Sequence, residues 1–153
     1  MSSATPTGSV PSKSIYDTSV YINAIRNRTY YESILPHFAR SLPTTYFCAV
    51  VAQELKAGCH TPMARERVAA FLRPFRRTGR LVTPAFTDWE ETGDLLARML
   101  QERPDLKDKL PRLVNDTLIA LCGVRLGAVV YTANEEDFAL VQRYKRFHFA
   151  VVP

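Results

Sequence analysis

The chain has 153 residues, of which 46% are hydrophobic and 23% are charged. This length suits one domain with a full core, and the composition excludes a disordered or fibrous protein. No apolar stretch reaches the roughly 18 residues that a membrane span needs. The net charge of +5 suits a polyanionic partner but does not identify one.

The first residues, MSSATPTGSVPSK, predict a flexible N-terminal tail over 1–13, because they are polar, rich in Ser, Thr and Pro, and lack the apolar core of a signal peptide. A single folded domain is expected over 14–153. Cys48 and Cys122 lie in apolar runs and predict reduced core thiols of a cytoplasmic protein. Cys59 precedes His60, but no second ligand pair follows, so a zinc site is not expected.

Predicted strands and helices alternate along the first half of the chain. In order they are a strand over 14–17, a helix after it, a helix over 30–40, a β-rich run over 46–51 passing into a helix that ends at Gly58, a helix in TPMARERVAAFLRPF and a short strand in RLVTP.

The second half continues the alternation. AFTDWEETGDLLARMLQER predicts an amphipathic helix with Phe86, Trp89, Leu96 and Leu100 near one side. NDTLIALCGVRLG predicts a buried helix that opens at Asn115–Asp116 and closes at Gly127. A strand (AVVYTA), a short helix (EEDFALVQRYKR) and a last strand (FHFAVV) follow. The alternation predicts the α/β class, a three-layer α/β/α sandwich around a central parallel sheet.

Four acidic residues stand at or near predicted strand ends or helix starts: Asp17, Glu54, Asp116 and Asp137. Each also has a purely structural interpretation. Asp116 could cap its helix, Asp17 could cap the next helix or form an Asx turn, and Asp137 could complement a helix dipole. Glu54 shares a helix face with Val50 and Val51, where a carboxylate is costly unless paired, or else its head reaches water.

Taken together, the four acids favour a metal site. The carboxyl ends of parallel strands converge at one edge of the sheet, where ligands bind. Clustered carboxylates raise one another's pKa values unless a cation neutralises them. Mg²⁺ and Mn²⁺ prefer such oxygen ligands and support phosphoryl chemistry.

The motifs YDTSVYINAI, AVVAQELKAG and LVNDTLIALCGVRLGAVVYTANEEDF resemble, in order, those of PIN-domain nucleases, and most closely the VapC-type toxins of bacterial toxin–antitoxin systems. The resemblance extends from about Ile15 to Val151. It implies a PIN-like fold and a metal-dependent endoribonuclease with bound Mg²⁺ or Mn²⁺. It also implies a cognate antitoxin that blocks the acidic site, and a homodimer.

The resemblance assigns metal-binding and catalytic roles to Asp17 in YDTS, Glu54 in QELKAG, Asp116 in NDTLIA and Asp137 in TANEEDF. Many PIN domains carry an aspartate where this chain has Asn134, which leaves open whether Asn134 or Asp137 completes the site. Supporting polar roles fall to Thr18, Thr132 and Asn134.

The segment RERVAAFLRPFRRTGR is rich in arginine: Arg65, Arg67, Arg73, Arg76, Arg77 and Arg80. These side chains could contact RNA phosphates, form a solvated surface, or dock an acidic partner, and the sequence does not separate the three. Three alternatives to the ribonuclease also stay open. They are a catalytically silent PIN-like module that binds RNA or protein, a DNA-directed nuclease on the same fold, and a phosphatase-like enzyme, although DTS lacks the Asp-x-Asp motif of that class.

Overall fold

The computed structural model describes residues 12–152, so most of the predicted tail over 1–13 lies outside the described residues. Five strands form the sheet: β1 Ser14–Tyr16, β2 Thr45–Cys48, β3 Leu81–Val82, β4 Val129–Thr132 and β5 His148–Val151. Seven α-helices surround it: α1 Thr18–Arg26, α2 Arg28–Ser41, α3 Ala49–Ala57, α4 Pro62–Thr78, α5 Phe86–Glu102, α6 Leu110–Leu126 and α7 Glu135–Gln142. In the described range, no helix is long and apolar enough to cross a membrane.

All strand pairs are parallel, and the strand order is β3-β2-β1-β4-β5. The central strand β1 therefore pairs with β2 on one side and with β4 on the other, where Tyr16 lies opposite Tyr131. The chain reverses its direction of travel across the sheet between β1 and β4. In open parallel sheets, ligands bind beside the carboxyl ends of the strands at such a point. The predicted α/β/α architecture is confirmed.

The helix boundaries follow local signals. The Thr61 side chain caps α4 by accepting the Ala64 amide at 3.1 Å, and Asn27 caps α2 by accepting the Tyr30 amide at 3.0 Å. Helices α4 and α6 each end at a glycine with positive φ, 71° at Gly79 and 64° at Gly127. Glycine adopts this left-handed conformation without steric penalty.

Two predicted helix boundaries were wrong. The β-rich run over 46–51 is strand only to Cys48, because Val50 and Val51 lie in α3 and pack in the core. Helix α6 begins at Leu110, six residues before Asp116, with a proline in its first turn. Asp116 is therefore an interior helical residue and not an N-cap.

The predicted buried face of α5 was also wrong in part. Phe86 and Trp89 are largely exposed, at 77% and 54%. The helix instead buries a face that includes Asp88 and Thr92. The Asp88 carboxylate accepts the Ala85 amide at 2.9 Å and pairs with the Arg125 guanidinium of α6. This ion pair allows a carboxylate to occupy the interface between the two helices.

Candidate metal centre

Asp17 directly follows the central strand, and its amide donates to the carbonyl of Tyr131 on β4 at 2.9 Å. Its carboxylate is 4% exposed. The Ser19 hydroxyl donates to Oδ1 at 2.6 Å, and the Thr132 hydroxyl donates to Oδ2 at 2.9 Å. Burial raises the pKa of Asp17 to about 6, although both hydroxyl donors oppose the shift. Asp17 is thus held in place and is mostly ionised at neutral pH.

Glu54 lies on α3, which follows β2, and is partly buried. The Thr18 hydroxyl, at the start of α1, donates to Glu54 Oε1 at 2.7 Å. This bond joins the two helices that follow adjacent strands of the sheet. It also turns the Glu54 carboxylate toward Asp17, whose pKa the Glu54 charge helps to raise.

Asp116 enters the site from α6, the helix that precedes β4. Its pKa is raised to about 8, first by burial and then by the charges of Asp137, Asp17 and Glu54, while Arg112 lowers it. The other three acids therefore lie close enough to act on this one carboxylate. Without a cation, Asp116 is largely protonated at neutral pH.

Asp137 lies in the first turn of α7 and is 3% exposed. Its Oδ2 accepts the side-chain amide of Asn134 at 3.4 Å and lies 3.8 Å from Arg112 Nη1. Asn134 is itself exposed. Asp137 is thus the buried acid in this first turn of α7, and the exposed Asn134 contacts its carboxylate.

The charges of Asp17, Glu54 and Asp137 all act on Asp116, so the four predicted acids lie in one region, beside the end of β1. Within residues 12–152, no group of three or more His, Cys, Asp or Glu side chains is already arranged to hold one ion. Mg²⁺ commonly binds one or two carboxylates directly and keeps several waters. The donor set fits such a cation, because burial raises the pKa values of Asp17 and Asp116, the neighbouring acids add to both shifts, and a cation would stabilise the ionised carboxylates.

Sequence reasoning missed two residues of this site. Ser19 donates to Asp17 and accepts the Ala133 amide at 3.0 Å, which ties α1 to the end of β4. Its position two residues after Asp17 was the available signal. Arg112 is the cation nearest Asp137. It could not be recognised because the helix that carries it was predicted to start later.

The predicted RNA-binding arginines separate into distinct surroundings. The Arg80 guanidinium donates to the carbonyls of Thr45 and Leu42 at 2.9 and 3.0 Å, so its role is structural. Arg67 donates to the carbonyl of Ile25 at 2.6 Å. The other four are exposed: Arg65, Arg73, Arg76 and Arg77.

The cysteines are all free thiols. Cys48 and Cys122 are fully buried free thiols with their sulfur atoms 3.9 Å apart. The Cys59 thiol donates to the Leu55 carbonyl at 3.0 Å. All three are reduced, as predicted for the first two.

No protein-family profile matches the chain, and no curated protein sequence matches it. Solved structures do match. One is DNA-bound VapBC from Salmonella typhimurium, at 22% identity and a TM-score of 0.66, with 91% of this chain and 97% of the other chain covered. Another is VapBC2 from Rickettsia felis bound to a promoter DNA fragment, at 17% identity and a TM-score of 0.61, with 92% of this chain and 98% of the other chain covered. A third is VapBC-1 from nontypeable Haemophilus influenzae, at 19% identity and a TM-score of 0.62, with 90% of this chain and 96% of the other chain covered.

The chain has the PIN-like fold. The fold that the sequence motifs implied is thereby confirmed over nearly the whole length of both chains. In this PIN-like fold, Asp17 lies at the switch point between β1 and β4.

Proposed function

We propose that this protein is a metal-dependent endoribonuclease, the toxin of a type II toxin–antitoxin pair. The observation that carries the proposal is the environment of the buried Asp116, whose pKa is raised first by burial and then by the charges of Asp137, Asp17 and Glu54. The structural similarity to VapBC complexes supports the toxin role. RNA in the cytoplasm would be the substrate.

Asp17, Glu54, Asp116 and Asp137 would hold Mg²⁺ or Mn²⁺, which when bound would supply a nucleophilic water at neutral pH and neutralise phosphate charge. The chain's own residues position these ligands. Ser19 and Thr132 fix both oxygens of Asp17. Thr18 donates to one oxygen of Glu54, Oε1.

Arg112 is the exposed cation beside the buried Asp137. Its side chain is 66% exposed, so it is free to approach a bound phosphate. We infer that it attracts the scissile phosphate toward the acidic edge and offsets part of the negative charge there.

The partners follow from the same similarity. A cognate antitoxin would cover the acidic edge and block access to it. A homodimer is also proposed, and light scattering on the purified toxin would test it.

The test is cleavage of a mixed RNA pool by purified protein in Mn²⁺ or Mg²⁺ against EDTA. Metal-dependent cutting that Asp116→Asn abolishes supports the proposal. Asp94→Asn is the matched control, because Asp94 is an exposed aspartate on α5. Folded, inhibitor-free protein that cuts no RNA in either metal would favour the silent RNA- or protein-binding module. Preferential cutting of single-stranded DNA in a competition would favour the DNA-directed nuclease.

A further inference from the structure

A groove of about 480 Å³ runs between α3 and α4. Its floor is apolar and includes Val68 and Leu72. Its walls carry four cations: Lys56 of α3, and Arg65, Arg73 and Arg76 of α4. Among residues 12–152, no carboxylate lines it. The groove therefore presents concentrated positive charge over a hydrophobic base.

The α4 cations form a row. Arg73 and Arg76 follow Arg65 by 8 and 11 residues, which places all three on the same face of an α-helix, about 12 and 16 Å along its axis. A row of this length matches an extended chain with several regularly spaced anionic groups better than it matches a single small anion.

These cations are available to a ligand. In the part of the chain that the structure describes, the ion pairs involve none of the four. Arg65, Arg73 and Arg76 are exposed and make no hydrogen bond to a backbone carbonyl, unlike Arg67 and Arg80 of the same segment. An anionic ligand in the groove would therefore meet a surface of one charge sign, with cations free to pair with it.

The groove and the acidic edge flank the same helix. Glu54 and Lys56 are two residues apart on α3, so their side chains leave the helix in roughly opposite directions. Glu54 meets Thr18 on the acidic side, and Lys56 lines the groove. The two sites are thus separated by about one helix diameter, roughly 10 Å, which a few nucleotides of single-stranded RNA span.

We propose that the α3–α4 groove binds the phosphates of single-stranded RNA that flank the cleaved bond. The identity of the ligand rests on the proposed function. Before a metal binds, the ionised carboxylates at the acidic edge repel a polyanion, so affinity for RNA must come from elsewhere on the surface. Arginine forks suit phosphate oxygens because they donate two hydrogen bonds at once.

The test measures binding without cleavage. Protein carrying Asp116→Asn is titrated into a fluorescein-labelled single-stranded RNA in EDTA, and Kd is obtained from anisotropy at several salt concentrations. Arg73→Ala/Arg76→Ala is compared with Arg143→Ala/Arg146→Ala. The control removes the same charge from exposed arginines near the end of α7, outside the groove. Circular dichroism melting checks that both variants are folded.

We expect the groove variant to bind RNA roughly 10-fold more weakly at 0.1 M salt, with a salt slope smaller by about 1.4, since each lost phosphate contact on a single strand accounts for about 0.7. The control should change Kd less than 2-fold. Equal losses in both variants, or no loss in the groove variant, would overturn the inference. The inference would also be overturned if a poly-glutamate peptide displaced the labelled RNA as effectively as unlabelled RNA of equal charge does. That result would assign the groove to an acidic protein.

The outcomes separate this inference from the proposed function. If the wild-type chain cleaves RNA with metal and the groove variant binds RNA unchanged, the proposed nuclease function stands and the groove inference fails. If RNA binding depends on the groove but the wild-type chain cleaves no RNA, the groove inference stands and the proposed nuclease function fails.

Discussion

The two hydroxyls that hold Asp17 illustrate how the chain keeps a buried carboxylate ionised. Burial alone would favour the protonated acid, and Ser19 and Thr132 oppose that by donating to its two oxygens. Thr132 lies 115 residues from Asp17 in sequence, so only the parallel pairing of β1 with β4 brings them together.

Thr132→Val should lower the stability by about 1–3 kcal/mol, because a buried hydrogen-bond partner of a carboxylate is lost. It should also raise the pKa of Asp17, so the acidic limb of the pH–activity profile moves to higher pH. Urea unfolding and the pH dependence of RNA cleavage measure the two effects. Thr92→Val is the matched control, since the buried Thr92 hydroxyl has no partner among the described residues. An equal loss of stability in both variants would contradict the prediction.

Asp116→Asn should stabilise the metal-free protein at pH 8 and change its stability little at pH 4. The pKa of Asp116 rises from 3.8 to about 8 on folding. The unfolded chain therefore loses this proton at lower pH than the folded chain, and folding becomes less favourable as the pH rises from about 4 to 8. Asparagine avoids a penalty on the order of a few kcal/mol. Urea unfolding in EDTA at pH 4, 6 and 8 checks this, and a pH-independent difference between the two proteins would refute it.

At the scale of elements, the alternation of strands and helices was predictable from apolar runs and turn residues. The boundaries of the elements were less predictable than their order. Val50 and Val51 favour strand locally, yet tertiary packing places them in α3. Asn115–Asp116 is a typical N-cap pair, and that local signal outweighed the proline that marks the true start of α6. The buried face of α5 was not predicted correctly because it includes Asp88, whose ion-pair partner Arg125 lies on a different helix.

Close packing of α6 against β4 fixes the position of Asp116. A Cβ atom added at Gly123 would lie 2.9 Å from Val130 Cγ2. Gly123→Ala should therefore destabilise the protein by about 1–3 kcal/mol through overpacking. Gly93→Ala on α5 is the control, since nothing lies within 4 Å of its added Cβ, and it should stabilise by about 0.5–1 kcal/mol. Urea midpoints that move in the same direction for both variants would contradict the packing argument.

At the scale of the whole molecule, the predicted convergence of strand ends at one sheet edge could be derived from the parallel topology. The sequence could not show that α6 runs past that edge, or that Arg112 joins the acids there. Charge is also divided spatially. The carboxylates gather at the switch point, while the cations of α3 and α4 line a separate groove.

Mn²⁺ or Mg²⁺ should raise the Tm of the wild-type protein more at pH 8 than at pH 5. A cation competes with protons for Asp17 and Asp116, whose pKa values are about 6 and 8. Asp116→Asn should lose most of the shift, and Asp94→Asn should keep it. Calorimetry with and without metal provides the measurement. A metal shift of equal size in both variants would place the cation elsewhere.

The strand order has a consequence for synthesis. A ribosome releases β1 first, but the strand's neighbour on the Asp17–Thr132 side is β4, which begins only at Val129. A nascent chain shorter than this has Asp17 and Glu54 but lacks Thr132, Asp137 and the crevice between the strands. During synthesis, the proposed site therefore cannot assemble until Asp137 has followed β4 out of the ribosome.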